Sequence, residues 1–369
     1  MKILVVSDYD PALLDSLFQT LEQNEAAEYT LLRKLVKRRV HYPSTEVVNL
    51  PMSTSSAENP LRLTSLLPVV AYLAVGMFAG LILVLKRRVD AIVGVYAFPQ
   101  GLVAAIVGRL TGRRYVILTD GGDVNNILPN PIVRIVMLWQ LEKAFAVTAQ
   151  NNKKWAQLFS LGVRRRILTT THIGIDTTRF APRVQKEPRT VLFVARMAPE
   201  KCPLVLIEAL RILRQRGVLV KLRMVGDGPL KTQIENTAAF LGVGHLLTME
   251  GYVPYREVQR FYGRSAIFVL PSRHEAVSSS LLEAMSSECI CIVSDIGDNL
   301  EVIRPMFNGF VFHLDNAKDL ADKICDVLSL PKSEIARLTS NARETVEKHY
   351  SVQVVGKTLG EIMSELVQS

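Results

Sequence analysis

The sequence predicts an α/β protein built from two parallel-sheet domains, and three observations carry that prediction. Its 369 residues exceed what a single hydrophobic core usually serves, so two domains are expected. Short apolar runs of strand length alternate with helix-forming stretches, as at 90–118 and again at 265–303. The second stretch, SAIFVLPSRHEAVSSSLLEAMSSECICIVSDIGDNLEVI, reads as strand, polar loop, helix and strand. Parallel strands need such a crossover, so it is one βαβ unit.

Taken in order, residues 3–6 form a first strand and a helix follows from near Pro11. The start, MKILVVSDYD, runs straight into the strand pattern, so no secretory leader is expected. Residues 66–85 carry no charge over 20 positions and lie between Arg62 and Lys86-Arg87-Arg88. Length alone would let them cross a bilayer. Pro68, Gly76 and Gly80 interrupt the run, and a crossing would put the first strand and its partners on opposite sides. The expectation is therefore a helix of the first domain partly exposed to lipid, with a fully buried core helix as the alternative.

A strand at 90–95, a helix at 100–110 and a strand at 115–118 come next, ending at Thr119-Asp120-Gly121-Gly122-Asp123. Glycines at a strand's carboxyl end allow a ligand to approach closely. A strand at 144–149 and a helix at 151–161 follow, and the polar, proline-containing segment 183–188 reads as a linker. Beyond it, a strand at 191–195 precedes Arg196 and Lys201, and a strand at 220–225 leads into Gly226-Asp227-Gly228-Pro229. Residues 266–270 are a buried strand ended by Pro271, and 289–293 are another. Between them, Ser278-Ser279-Ser280 is an N-cap signal ahead of LLEAM. A helix start presents unpaired N–H groups and a positive dipole end, which suit a phosphate.

Composition narrows the partners. Hydrophobic residues make up 49% and charged residues 21%, with a net charge of +9. Residues 1–170 hold 20 Lys and Arg against 12 Asp and Glu, while 171–369 hold 24 against 23. The positive charge therefore belongs to the first half, at Arg33-Lys34, Lys37-Arg38-Arg39, Lys86-Arg87-Arg88, Arg113-Arg114 and Arg164-Arg165-Arg166. No base-reading motif accompanies it, so an anionic membrane surface is expected as partner and nucleic acid is not. The four cysteines form no CxxC pair, and Cys289 and Cys291 fall in an expected strand, which points to reduced thiols in a cytosolic compartment.

Glu275 and Glu283 in EAVSSSLLEAM are separated by seven residues. That spacing resembles the signature of retaining glycosyltransferases of the two-Rossmann-domain GT-B architecture, group one or family four. Further similarity lies in Arg196 and Lys201, in Gly226-Asp227-Gly228-Pro229, in Gly251-Tyr252-Val253, in THIGIDTTRFAP at 171–182, and in Ser294 to Gly297, Glu301 and Asn308-Gly309-Phe310. The chain departs from the pattern in three places. The first turn reads Ser7-Asp8-Tyr9-Asp10 where Gly-Gly is usual, Asp120 replaces a histidine before Gly121 and Asp123, and His172 replaces an asparagine.

The resemblance implies an acceptor-binding domain at 1–183 joined by a returning helix at 351–369, and a nucleotide-sugar-binding domain at 184–350. It implies that Arg196 and Lys201 hold a diphosphate, helped by N–H groups of Ser278, Ser279 and Ser280. Glu283 would take the ribose hydroxyls, Glu275 would contact the donor sugar, and Gly226 and Val253 would lie near the nucleotide. Asp120 is the expected first-domain residue near the acceptor. No cofactor is implied beyond the nucleoside-diphosphate sugar as co-substrate. No metal is implied either, although Asp8 and Asp10 form an Asp-x-Asp pair. The expected activity is sugar transfer to a glycan or lipid-linked acceptor, by a cytoplasmic protein peripheral to the inner face of the membrane. A non-catalytic nucleotide-sugar-binding or membrane scaffold, or an epimerase or phosphorylase of the same fold, are the alternatives.

Overall fold

The computed structural model describes residues 1–7, 17, 19–21, 27–34, 45–50, 63–119, 131–164, 166–170, 173–182 and 186–368. The expected helix start at Pro11, Asp8 and Asp10, Asp120 with Gly121 and Asp123, His172 and linker residues 183–185 lie outside that set. The chain divides into Met1–Gly174 with Val355–Ser369, and Ile175–Val354. The division falls before the expected boundary at 183/184. Ile175 bridges Ser351 and, with Phe180, is buried in the second unit's core. Apolar burial, rather than the polar linker, sets the border.

The first unit holds β1 (Lys2–Val6), β2 (Glu28–Lys34), β3 (Thr45–Leu50), β4 (Ala91–Val95), β5 (Arg114–Leu118), β6 (Ala146–Ala149) and β7 (Arg166–Thr169). They form one sheet in the order β3-β2-β1-β4-β5-β6-β7, with every pairing parallel. Strands β1, β4, β5 and β6 are near-continuous buried runs, as a sheet covered on both faces requires. Helices Leu63–Arg87, Gln100–Thr111, Pro131–Lys143 and Asn152–Ser160 bury Leu83, Val107, Met137 and Leu158 in one core. A second core joins Leu17 and Leu21 to Val355, Leu359, Ile362, Met363 and Leu366 of the last helix, Val352–Gln368.

The uncharged run at 66–85 is the Leu63–Arg87 helix, and it belongs to the sheet layer. Strand β3 precedes it and β4 follows it within a single sheet, and β4 pairs directly with β1. A crossing would break that pairing. Tyr72, Gly76, Gly80, Leu83 and Val84 face inward, and Gly80 sits close enough to Val107 that a Cβ would lie 2.9 Å from its methyl. Val70, Phe78, Ile82 and Leu85 are exposed. From Val69 to Arg87 only the inward stripe is buried, so the helix is not a wholly buried core helix.

The second unit holds β8 (Glu187–Val194), β9 (Lys221–Val225), β10 (Leu247–Gly251), β11 (Ser265–Leu270), β12 (Ile290–Ser294) and β13 (Phe310–Phe312). Their order is β10-β9-β8-β11-β12-β13, again all parallel. Strand order reverses between β8 and β11, which opens a crevice at the carboxyl ends of those two strands. The fold is α/β with two Rossmann-like sheets.

Candidate active site

The second unit's switch point is built from local signals. After β8 the chain turns through Arg196 and a short 3-10 segment, Pro199–Lys201, held by Lys201 N–H on the Ala198 carbonyl at 3.0 Å. The turn after β9 packs directly beneath it. Gly226 has φ 128°, and a Cβ there would stand 2.0 Å from the Ala195 oxygen. Gly228 would likewise strike the Met197 backbone. Both glycines are therefore demanded by backbone packing. The Gly226 N–H is engaged with the Gly251 carbonyl at 2.8 Å, so this residue shapes the turn and its amide does not face a donor.

After β11, Pro271 and a loop bring Glu275 to the switch point. The Arg273 N–H reaches the Glu200 carbonyl at 2.9 Å and ties this loop to the one after β8. Lys201 Nζ lies 2.6 Å from Glu275 Oε1. The Glu275 side chain is 8% exposed and that of Lys201 24%, so the pair is largely shielded from water. The two residues expected at the diphosphate and at the donor sugar thus hold each other. Arg196 is exposed on the neighbouring turn.

Ser278 caps the Ser279–Ser286 helix: its hydroxyl accepts the Leu281 N–H at 3.4 Å and lies 3.0 Å from the Ser280 hydroxyl. With that N–H capped, the amides of Ser279 and Ser280 are the first-turn donors left for an anion. Beyond them the helix is buried from Leu281 to Ser286.

Glu283 lies in that buried stretch with 4% exposure. Burial raises its pKa from 4.5 to about 7, against the opposing pull of the Tyr262 and Tyr255 hydroxyls and the Arg179 charge. Tyr262 is itself buried, and burial together with Glu283 holds its phenol well above its usual range, so it stays protonated. Arg179 stacks 4.3 Å over the Tyr255 ring and donates to the Tyr255 carbonyl. Sequence reasoning missed Tyr255, Tyr262 and Arg179. The available signal for Arg179 was its place inside the matched turn at 171–182, which Arg343 pins through the Thr177 and Phe180 carbonyls. Val253 is half buried against the core that also holds Tyr262.

Deeper support comes from β12. Ser294 donates to the Ser272 carbonyl at 2.6 Å, and Asn299 donates to the Ser294 carbonyl at 3.1 Å, which fixes the loop ahead of Glu275. Among the described residues no cluster of His, Cys, Asp and Glu is arranged to hold a metal. Asp120 lies outside the described residues, so the acceptor-side expectation rests on sequence alone.

The second unit is similar in sequence to known glycosyltransferases. The family profile described as glycosyl transferases group 1 matches residues 174–345, nearly the whole second unit. A provisionally named colanic acid biosynthesis glycosyltransferase, WcaL, of Escherichia coli (strain K12) is 29% identical over 58% of this chain, and the match spans 55% of that relative's length. A second Escherichia coli protein, named UDP-Gal:alpha-D-GlcNAc-diphosphoundecaprenol alpha-1,3-galactosyltransferase, is 25% identical over 66% of this chain and 70% of its own. The solved structure of sucrose-phosphate synthase from Thermosynechococcus elongatus superposes with a TM-score of 0.81, covering 100% of this chain and 99% of that one at 17% identity. Residues 174–345 thus match the glycosyl transferases group 1 family, and the chain's two Rossmann-like sheets have the GT-B fold.

Proposed function

We propose that this protein moves a sugar from a nucleoside-diphosphate sugar to a glycan or lipid-linked acceptor. We place the reaction at the cytoplasmic surface of the membrane, with retention at the anomeric carbon, in cell-surface polysaccharide or glycolipid synthesis. The observation that carries this reading is the shielded Lys201–Glu275 pair at the switch point, beside the capped start of the Ser279–Ser286 helix. A departing diphosphate is stabilised by positive charge already in place, and Lys201, Arg196 and the Ser279 and Ser280 amides supply it. A bound donor competes for Lys201, which frees Glu275 to face the sugar and offset positive charge growing at its anomeric carbon. Glu283 accepts the ribose hydroxyls. Asp120 serves the acceptor side. With that charge supplied by the protein, turnover needs no metal and persists in a chelator.

The names of two relatives support the setting. One relative is named for colanic acid biosynthesis, and the other for a UDP-sugar donor and a diphosphoundecaprenol acceptor. The test is release of nucleoside diphosphate from a panel of UDP-, GDP- and dTDP-sugars by the full chain. Release is expected with at least one donor, and Glu275→Gln lowers it about 100-fold or more. Donor binding without turnover, or turnover indifferent to Glu275→Gln, would overturn the assignment in favour of a non-catalytic binding protein.

A further inference from the structure

Every strand of the first unit's sheet runs the same way, so every crossover returns to the same edge, opposite the one where such sheets bind their ligands. Three of the first unit's basic groups lie on that return edge. Lys86, Arg87 and Arg88 precede β4, Arg113 and Arg114 begin β5, and Lys143 ends the helix before β6. The strand starts are aligned, Ala91 standing opposite Arg114.

A pocket of about 500 Å³ opens there, walled by Arg109, Arg113, Arg114, Lys143 and Trp139, and its described lining contains no carboxylate. It is a built feature. The Gln100–Thr111 helix ends on Gly112 at φ 68°, and a Cβ on Gly108 would stand 2.7 Å from the Arg113 oxygen. Those two glycines let the chain turn sharply and deliver two arginines side by side. The Tyr115 hydroxyl donates to the Gln140 carbonyl at 2.7 Å, binding the floor to the helix that carries Trp139 and Lys143.

The outer side of the adjoining helix layer is apolar. Phe78 is 69% exposed and Leu85 72%, with Val70 and Ile82 along the same stripe, and Leu110 and Ile135 stand exposed on the two neighbouring helices. Helices Leu63–Arg87, Gln100–Thr111 and Pro131–Lys143 all bury their other sides in one core, so these exposed groups share one face. An apolar face rimmed by cations matches a bilayer whose headgroups are anionic.

We infer that the first unit docks on an anionic phospholipid bilayer through this helix face, with the pocket of Arg109, Arg113, Arg114 and Lys143 taking a lipid headgroup phosphate. The site deepens the membrane part of the function proposed above and is independent of the donor site. The Leu63–Arg87 helix lies on the membrane and does not cross it.

Vesicle flotation of the full chain tests this, comparing phosphatidylcholine alone with phosphatidylcholine mixed with phosphatidylglycerol. Binding is expected to the mixed vesicles only, to weaken with salt, and to be released by alkaline carbonate. Arg109→Glu with Arg113→Glu should weaken it at least about tenfold, as should Phe78→Asp with Leu85→Asp. All four positions are exposed, so melting temperature and nucleotide release from a sugar donor should stay at the parent level. That separates failure of docking from failure of the activity reading. Equal binding to neutral vesicles, unchanged binding by the charge-reversed variant, or retention through carbonate would overturn the inference. So would displacement by inorganic phosphate beyond that by chloride at matched ionic strength, which would give the pocket to a soluble ligand.

Discussion

Glu283 shows how burial makes one side chain's contribution to the fold depend on pH. Its pKa in the fold, about 7, lies above its ordinary 4.5 because burial disfavours the charged form. Between those values the unfolded chain has lost the proton while the folded chain keeps it. The stability this group contributes is therefore full below about pH 4.5, falls as pH rises, and is gone above about pH 7. The scale is at most ~3 kcal/mol. Urea midpoints at about pH 5 and about pH 8 should show the parent losing stability and Glu283→Gln losing less. The ribose hydroxyls need an acceptor, so nucleotide-sugar affinity should rise over the same window in the parent and stay flat in Glu283→Gln. An identical pH response in both would refute a titrating role.

At the scale of the element, two left-handed glycines separate conformational strain from collision. Gly112 has φ 68° and nothing within 4 Å of the place a Cβ would occupy, whereas Gly226 has φ 128° and the Ala195 oxygen at 2.0 Å. Gly112→Ala should lower stability by about 1 kcal/mol, the cost of a left-handed L-residue. Gly226→Ala must also push apart the turns after β8 and β9, and should cost ~3 kcal/mol or more. Chemical denaturation of the two variants side by side checks the order, and equal losses would contradict the packing account. The Leu63–Arg87 helix makes a related point. Its glycines at 76 and 80 read as interruptions in the sequence, yet both face inward and Gly80 lets the helix approach Val107 of its neighbour.

At the scale of the whole molecule, the chain's end completes its beginning. Val355, Leu359, Ile362, Met363 and Leu366 are buried with Ile3 and Val5 of β1 and Val93 of β4. Burying each such side chain contributes about 1.5–3 kcal/mol, so losing five rivals the total stability of a domain. A chain ending at residue 354 should therefore leave the first unit without cooperative folding. Limited proteolysis should degrade residues 1–174 while a fragment within 175–354 survives. A protease-resistant first unit in the truncated chain would show that the returning helix is dispensable.

Much of this protein was legible from residue order. The inner strands β1, β4, β5, β11 and β12 are apolar runs because both faces of their sheets are covered, and neighbours along the chain suffice to reveal that. The cap at Ser278 and the glycines at 226 and 228 are likewise local. Strands β2, β3 and β7 escaped because they lie at or next to a sheet edge, where EYTLLRK, TEVVNL and RILT mix polar with apolar residues. Tertiary structure alone decided three things. It joined Lys201 to Glu275 across 74 positions, because β8 and β11 are sheet neighbours although two strands separate them in the chain. It buried Glu283, and that burial raised its proton affinity against the pull of Tyr262, Tyr255 and Arg179. It also laid Lys86, Arg87, Arg88, Arg113, Arg114 and Lys143 along one edge, because parallel strands return every connection to the same side.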